Sequence, residues 1–245
     1  MVLAAAAAFA GASVQSATGF GFALILGPAL FAVLGPEQAV SSLLVLGLAL
    51  NVLVLSDGRR ARVRWRALVP ALVAAVPGLV AGALILTALA KPVLQAAVGA
   101  AVIVAALVQL RSRPPAAEPH EPSLGGACAV GLASGALTTS TSVSGPPLVL
   151  WFEAQGLRPA EMRTSLAICF LALNLAGGVA LIAAGGTGTL AGAELLLPLL
   201  CLVVVGHLTG ARAFRRLDPS RFRLVVFGLV ILAGAASLAA GLASA

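Results

Sequence analysis

The sequence predicts an all-α polytopic membrane protein made of two inverted repeats, each a broken, re-entrant element followed by three transmembrane helices. Three observations lead there. Hydrophobic residues fill 60% of the 245 positions and charged residues only 9%, where a soluble domain carries about 25% charged. Several apolar stretches reach about 20 residues, enough to cross a ~30 Å hydrocarbon core. Finally, the pattern of the first half returns in the second.

The apolar stretches are Val2–Leu34, Ala39–Leu55, Ala67–Ala90, Pro92–Leu110, Leu124–Phe152, Thr164–Ala184, Leu195–Ala211 and Leu224–Ala243. They are Leu/Ala/Val runs without the alternation of an outer-membrane barrel strand. Six read as ordinary spans. Val2–Leu34 and Leu124–Phe152 are too long for one span, and Gly, Pro, Ser and Thr interrupt both. The opening "MVLAAAAAFAGAS" lacks the basic n-region of a signal peptide and is read as part of the first membrane element. Trp65 and Trp151 sit at stretch edges, where interfacial anchors belong. The Pro-rich, charged "RSRPPAAEPHEPS", residues 111–123, reads as a linker. It divides a first repeat (1–110) from a second (124–245), and the two form one transmembrane domain.

The repeat is visible residue by residue. "LALN" occurs at Leu48–Asn51 and at Leu171–Asn174, an offset of 123, which also pairs Pro36 with Pro159 and Ser42 with Ser165. At an offset of 128, Pro70 pairs with Pro198, Gly78 with Gly206 and Gly82 with Gly210. Upstream, an offset of 118 pairs Ser16 with Ser134, Gly27 with Gly145 and Pro28 with Pro146.

Charge sets the topology. One basic cluster (Arg59, Arg60, Arg62, Arg64, Arg66) follows the first full span of its half. The other (Arg212, Arg215, Arg216, Arg221, Arg223) follows the second full span of its half. Inverted halves predict that displacement. If both broken elements are hairpins, only Lys91 lies outside and 14 of the 15 basic residues lie inside; if both cross, seven lie inside and eight outside. The hairpins obey the positive-inside rule; the uncharged N-terminus leaves a second arrangement open, in which the first broken element crosses once and gives seven spans with an inside N-terminus. The net charge of +7 is thereby explained by topology, and nucleic acid is excluded as a partner.

Irregular backbone at membrane depth is tolerated where it is buried or lines a wet cavity. In inverted-repeat transporters, broken helices meet near the midplane and their N-termini hold anions. Thr138, Thr139, Ser140, Thr141, Ser142 and Ser144 put six hydroxyls within seven residues of the second broken element. Hydroxyls add neutral donors, although Ser and Thr in membrane helices also bond their own i−4 carbonyls. The first broken element offers Gln15, Ser16 and Thr18, with Gly19 and Gly21 allowing close backbone approach. Asn51 and Asn174 occupy equivalent places in apolar spans; each faces the site or bonds a neighbouring helix. His207 is the one ionisable residue deep in a stretch and is a candidate for proton coupling. Its counterpart is Leu79. Cys128, Cys169 and Cys201 lie in apolar stretches without metal-site spacing, so no metal and no cofactor are expected.

The stretches "SATGFGFALILGP", "GPEQAVSSLLVLGLALN", "SGALTTSTSVSGPPLVLW" and "LRPAEMRTSLAICFLALN", with the glycine pairs of "VPGLVAGA" and "VVGHLTGA", resemble the sulfite exporter TauE/SafE family over nearly the whole chain. The second broken element departs from that family in carrying Thr and Ser where a Gly-rich run is common. The resemblance implies a multi-pass transporter of the cell membrane, not an enzyme, that moves sulfite, sulfonates or related small anions. An inside-negative potential drives anions outward by ~2.3 kcal/mol per charge per 100 mV, which favours export. Two rival readings are a membrane scaffold or assembly subunit, and an intramembrane serine hydrolase using Ser134 and His207. "GLASG" lacks the G-x-S-G spacing such a hydrolase would want.

Overall fold

The structure, a computed structural model, describes residues 2–57, 61–111, 123–184 and 190–213, with scattered positions beyond 230. Linker residues 112–122, Arg59, Arg60, Arg215, Arg216, Arg221 and Arg223, and most of the Leu224–Ala243 stretch lie outside the described residues. The described residues form nine helices and no strand: α1 (Val2–Thr18), α2 (Phe22–Val33), α3 (Pro36–Ser56), α4 (Trp65–Ala88), α5 (Lys91–Arg111), α6 (Leu124–Thr141), α7 (Gly145–Ala154), α8 (Pro159–Ala183) and α9 (Ala193–Ala213). Four of them are long and apolar enough to cross a membrane: α3, α4, α8 and α9. Their outward faces are apolar too. Val73, Val76, Val80 and Leu84 form an exposed stripe on α4 at the three- and four-residue spacing of one helix face.

The helix boundaries correct the alignment of the repeat. α1 and α6 end at Thr18 and Thr141, α2 and α7 start at Phe22 and Gly145, and α3 and α8 start at Pro36 and Pro159, each pair at an offset of 123. α4 and α9 start at Trp65 and Ala193, an offset of 128. The upstream offset of 118 therefore fails. It matched two Gly-Pro pairs with different jobs: Pro28 lies inside α2, whereas Pro146 is in the first turn of α7. The structural counterpart of Ser16 is Thr139, not Ser134.

Both broken elements fold back on themselves. Gly11 on α1 packs against the Phe22 backbone at the start of α2, and Gly126 near the start of α6 packs against the Trp151 ring on α7. Trp151 is accordingly no interfacial anchor. It is 8% exposed, and its Nε1 donates to the Ala67 carbonyl of α4 at 3.4 Å. Trp65, at 56% exposure, remains at the surface.

The two hairpins exchange partners between halves. α1 lies along α9, and α6 lies along α4. Gly78 and Gly82 on α4 face Leu132 and Ala136 on α6, and Gly206 and Gly210 on α9 face Phe9 and Ser13 on α1. The glycine pairs matched in sequence thus do the same work in each half, a small-x-x-x-small contact that lets two backbones touch. On α6, Gly131 and Gly135 complete the α4 contact by meeting the Ala71 and Ala75 carbonyls. α3 packs on α8, with Asp57 just past the end of α3 beside Arg163 near the start of α8. Gly47 in mid-α3 meets Asn174 in mid-α8. The core divides into two apolar clusters, one centred on α1, α2, α3 and α9 and reaching Leu86 of α4, Leu94 and Val98 of α5 and Leu181 of α8, the other joining α4, α6, α7 and α8, with Phe20 packed against both.

Candidate functional site

The two breaks have the same cause. α1 ends where Gly19 and Gly21 take φ of 94° and 113°, values that side chains other than glycine rarely adopt. α6 ends where Ser142 takes a left-handed φ of 60° and its N–H caps the Thr138 carbonyl at 3.1 Å. Each chain then reverses within three residues and starts a short helix.

These reversals meet at one narrow cavity of about 30 Å³, room for about two waters. Hairpin one contributes Gln15 and residues Gly21–Leu24; hairpin two contributes Ser142, Val143, Ser144 and Gly145. α3 adds Leu43, Gly47 and Asn51, and α8 adds Phe170 and Asn174. No lining residue carries a formal charge. The N-termini of α2 and α7 both open here, so two helix dipoles present their positive ends. α7 starts Gly-Pro-Pro, and proline has no N–H, so α2 offers more backbone donors.

Of the residues expected in the site, Gln15, Gly21, Asn51, Ser142, Ser144 and Asn174 line this cavity; Ser16, Thr18, Gly19 and Thr138–Thr141 do not. The amides form a short chain. Asn51 Nδ2 donates to the Gly47 carbonyl at 2.7 Å, Gln15 Nε2 donates to Asn51 Oδ1 at 2.9 Å, and the Phe22 N–H donates to Gln15 Oε1 at 3.3 Å. Gln15 thereby stitches α1, α2 and α3 together. Asn174 differs: its amide lies over the bare Cα of Gly47 and is not committed to a hydrogen bond among the described residues. It also lines a larger apolar groove of about 370 Å³ between α3 and α8.

The hydroxyl run divides by position. Thr138, Ser140 and Thr141 donate to carbonyls four residues back, at 2.7, 2.6 and 3.0 Å. Thr139 donates across to the Leu79 carbonyl of α4 at 2.7 Å. Only past the helix end do the hydroxyls reach the cavity. Ser142 Oγ is buried there and has no hydrogen-bond partner among the described residues. In hairpin one, Thr18 Oγ1 similarly donates within its own turn, to the Val14 and Phe20 carbonyls.

Ser16 takes the place that Thr139 has in the other half. Its hydroxyl is 2.9 Å from His207 Nδ1, and His207 stands where Leu79 stands in half one. Ser134 and His207 form no dyad: Ser134 Oγ is buried without a hydrogen-bond partner among the described residues, and His207 Nδ1 is against Ser16.

Sequence reasoning missed Arg163. It sits one turn into α8, 9% exposed. Its Nε donates to the Ser16 carbonyl at 2.9 Å, and its guanidinium pairs with Asp57 at 2.6 Å. The Gly19 backbone packs directly on its Cα. The signal was present in the repeat, where Val40 is the counterpart of Arg163.

The comparisons agree in direction. The sequence profile described as "Sulfite exporter TauE/SafE" matches residues 3–237. A protein of Cupriavidus necator named "Probable sulfite/organosulfonate exporter TauE" is 29% identical over 232 residues, covering 92% of this chain and 89% of its own. No solved structure matches the chain. The members of that family are transporters rather than enzymes, and long apolar helices embed such a protein in a membrane with several passes. With its profile match spanning nearly every residue, this chain belongs to the sulfite exporter TauE/SafE family.

Proposed function

We propose that this chain exports small sulfur oxyanions, sulfite or small sulfonates, from the cell by alternating access between two inverted halves. The observation that carries the proposal is the cavity at which both broken helices meet. Its walls offer amides, hydroxyls and two helix N-termini but no fixed charge. Such a wall attracts an oxyanion through dipoles and releases it again, because no cation has to be stripped away. The name of the Cupriavidus relative supports this substrate class.

Inversion is supported by the opposite run of α3 and α8, equivalent helices that meet end to start at Asp57 and Arg163. It is also supported by the arginine pattern. Arg64 on the α3–α4 connection donates to the Gln155 carbonyl on the α7–α8 connection at 3.2 Å, so these two arginine-bearing connections share one side. That side is the cytoplasmic one under the positive-inside rule. The membrane potential then drives a monovalent oxyanion outward by ~2.3 kcal/mol per 100 mV without a coupling ion. His207, bonded to Ser16 beside the first break, remains the candidate if protons are coupled.

Reconstituted protein is expected to move sulfite or a sulfonate across proteoliposomes, faster as an imposed potential drives the anion. A panel of sulfite, sulfate, small sulfonates and thiosulfate with no flux above empty vesicles would overturn the transporter reading and leave a scaffold role.

A further inference from the structure

We propose that Arg163 is an oxyanion receptor at the cytoplasmic mouth of the cavity, and that Asp57 occupies it until a substrate anion takes its place. The inference rests on the anion-export reading and adds a site outside the cavity itself.

The placement carries it. Arg163 is seven residues before Phe170 on α8, about 10 Å along a helix axis at 1.5 Å per residue, and Phe170 lines the cavity. Across from it, Arg163 Nε holds the carbonyl of Ser16, the neighbour of the cavity residue Gln15. The guanidinium stands between the cytoplasmic ends of α3 and α8 and the first break. The cavity is neutral and attracts anions only at short range, whereas a cation at its mouth draws them from farther away.

The chemistry fits exchange. A guanidinium fork binds planar or pyramidal oxyanions through paired N–H groups, as it binds a carboxylate. The side chains of Arg163 and Asp57 are 11% and 14% exposed, and an unpaired charge at such burial is strongly unfavourable. Asp57 neutralises the arginine while the site is empty. An arriving oxyanion replaces one negative partner with another, so the cation is never bare, and the released Asp57 carboxylate, at the C-cap of α3, turns outward to solvent.

The asymmetry of the repeat points the same way. At the offset of 123, the counterpart of Arg163 is Val40 and that of Asp57 is Ala180. A bond needed only to hold the two halves together would serve equally at either mouth. This pair exists at one mouth, the side from which an exporter loads.

The test uses the full-length protein, with sulfite as probe. Sulfite binding is read from the melting temperature in detergent against sulfite concentration, and half-saturation of flux is read in proteoliposomes. Asp57→Asn removes the competing charge and keeps a hydrogen-bond acceptor; the half-saturating sulfite concentration is expected to fall roughly tenfold. Arg163→Gln should raise it by a similar factor. The double variant should behave like Arg163→Gln, because the gain acts through the arginine. A merely structural pair predicts lower stability in both single variants and no tighter binding in Asp57→Asn, and that result overturns the proposal. If Asp57→Asn does not fold, Arg163→Lys serves. Weaker binding at unchanged melting temperature is expected, and unchanged binding refutes the receptor. Absence of flux and binding in the wild type would sink the export reading, whereas wild-type flux with an indifferent Asp57→Asn sinks only this one.

Discussion

Asn51 and Asn174 are equivalent in sequence and opposite in consequence, and alanine at each position separates the two roles. Asn51 is 1% exposed and exchanges hydrogen bonds of 2.9 and 2.7 Å with Gln15 and Gly47. Asn51→Ala strands the buried Gln15 amide, and an unsatisfied buried group costs about 1–3 kcal/mol. The loss also loosens the clamp on the α2 N-terminus. Among the described residues Asn174 gives up no hydrogen bond on truncation, so Asn174→Ala should stay within about 1 kcal/mol of the wild type. Its amide is instead a free donor at the cavity wall. A hydrogen bond to a charged ligand contributes about 1.5–3 kcal/mol, so losing it should raise half-saturating sulfite by roughly 10- to 150-fold at 1.4 kcal/mol per tenfold. The assays are sulfite flux in proteoliposomes and unfolding of the ligand-free protein in detergent. Equal destabilisation by the two variants, with half-saturation unchanged in Asn174→Ala, would refute the division.

Three more outcomes are expected. Gly135→Val pushes a side chain into the Ala75 carbonyl and the Leu79 N–H, so α4 and α6 must part. The cost should be about 1–3 kcal/mol in a reversible unfolding measurement, and a neutral result would mean the two backbones are not in contact. Ser42 and Ser165 are repeat partners whose buried hydroxyls have no hydrogen-bond partner among the described residues. Alanine at either is expected to be neutral or stabilising by up to about 1 kcal/mol, and a loss larger than that would reveal a partner held by the hydroxyl. Cysteines introduced at Arg62 and Arg212 should react with an impermeant reagent from the same side of the membrane; reaction from opposite sides would overturn the inverted topology.

Much of the candidate cavity was legible in residue type. Gln15, Gly21, Asn51, Ser142, Ser144 and Asn174 stand out as polar or conformationally special residues inside apolar stretches, and all six line the cavity. The hydroxyl run was less legible, because a side chain's chemistry does not say which way its helix faces. Thr138 to Thr141 sit within the last turn of α6, where their own carbonyls are in reach. Ser142 and Ser144 lie one step beyond, where the helix has ended and no such carbonyl remains. Trp151 failed for a related reason: a tryptophan at the edge of a stretch is an anchor only if the stretch crosses, and α7 turns back and buries it.

The sequence by itself determined the four apolar spans of α3, α4, α8 and α9, the two interrupted elements, the recurrence of Pro36–Asn51 in Pro159–Asn174, and the glycine pairs at 78/82 and 206/210. These depend on composition and local order, which the chain carries directly. Tertiary structure alone decided that each glycine pair serves the hairpin of the opposite half, that Ser16 answers to Thr139, and that Arg163 reaches both Asp57 and Ser16. The contacts among these join residues 54 to 197 positions apart in the chain. They follow from how close two backbones can approach once side chains are removed, a quantity with no signature in either segment read alone.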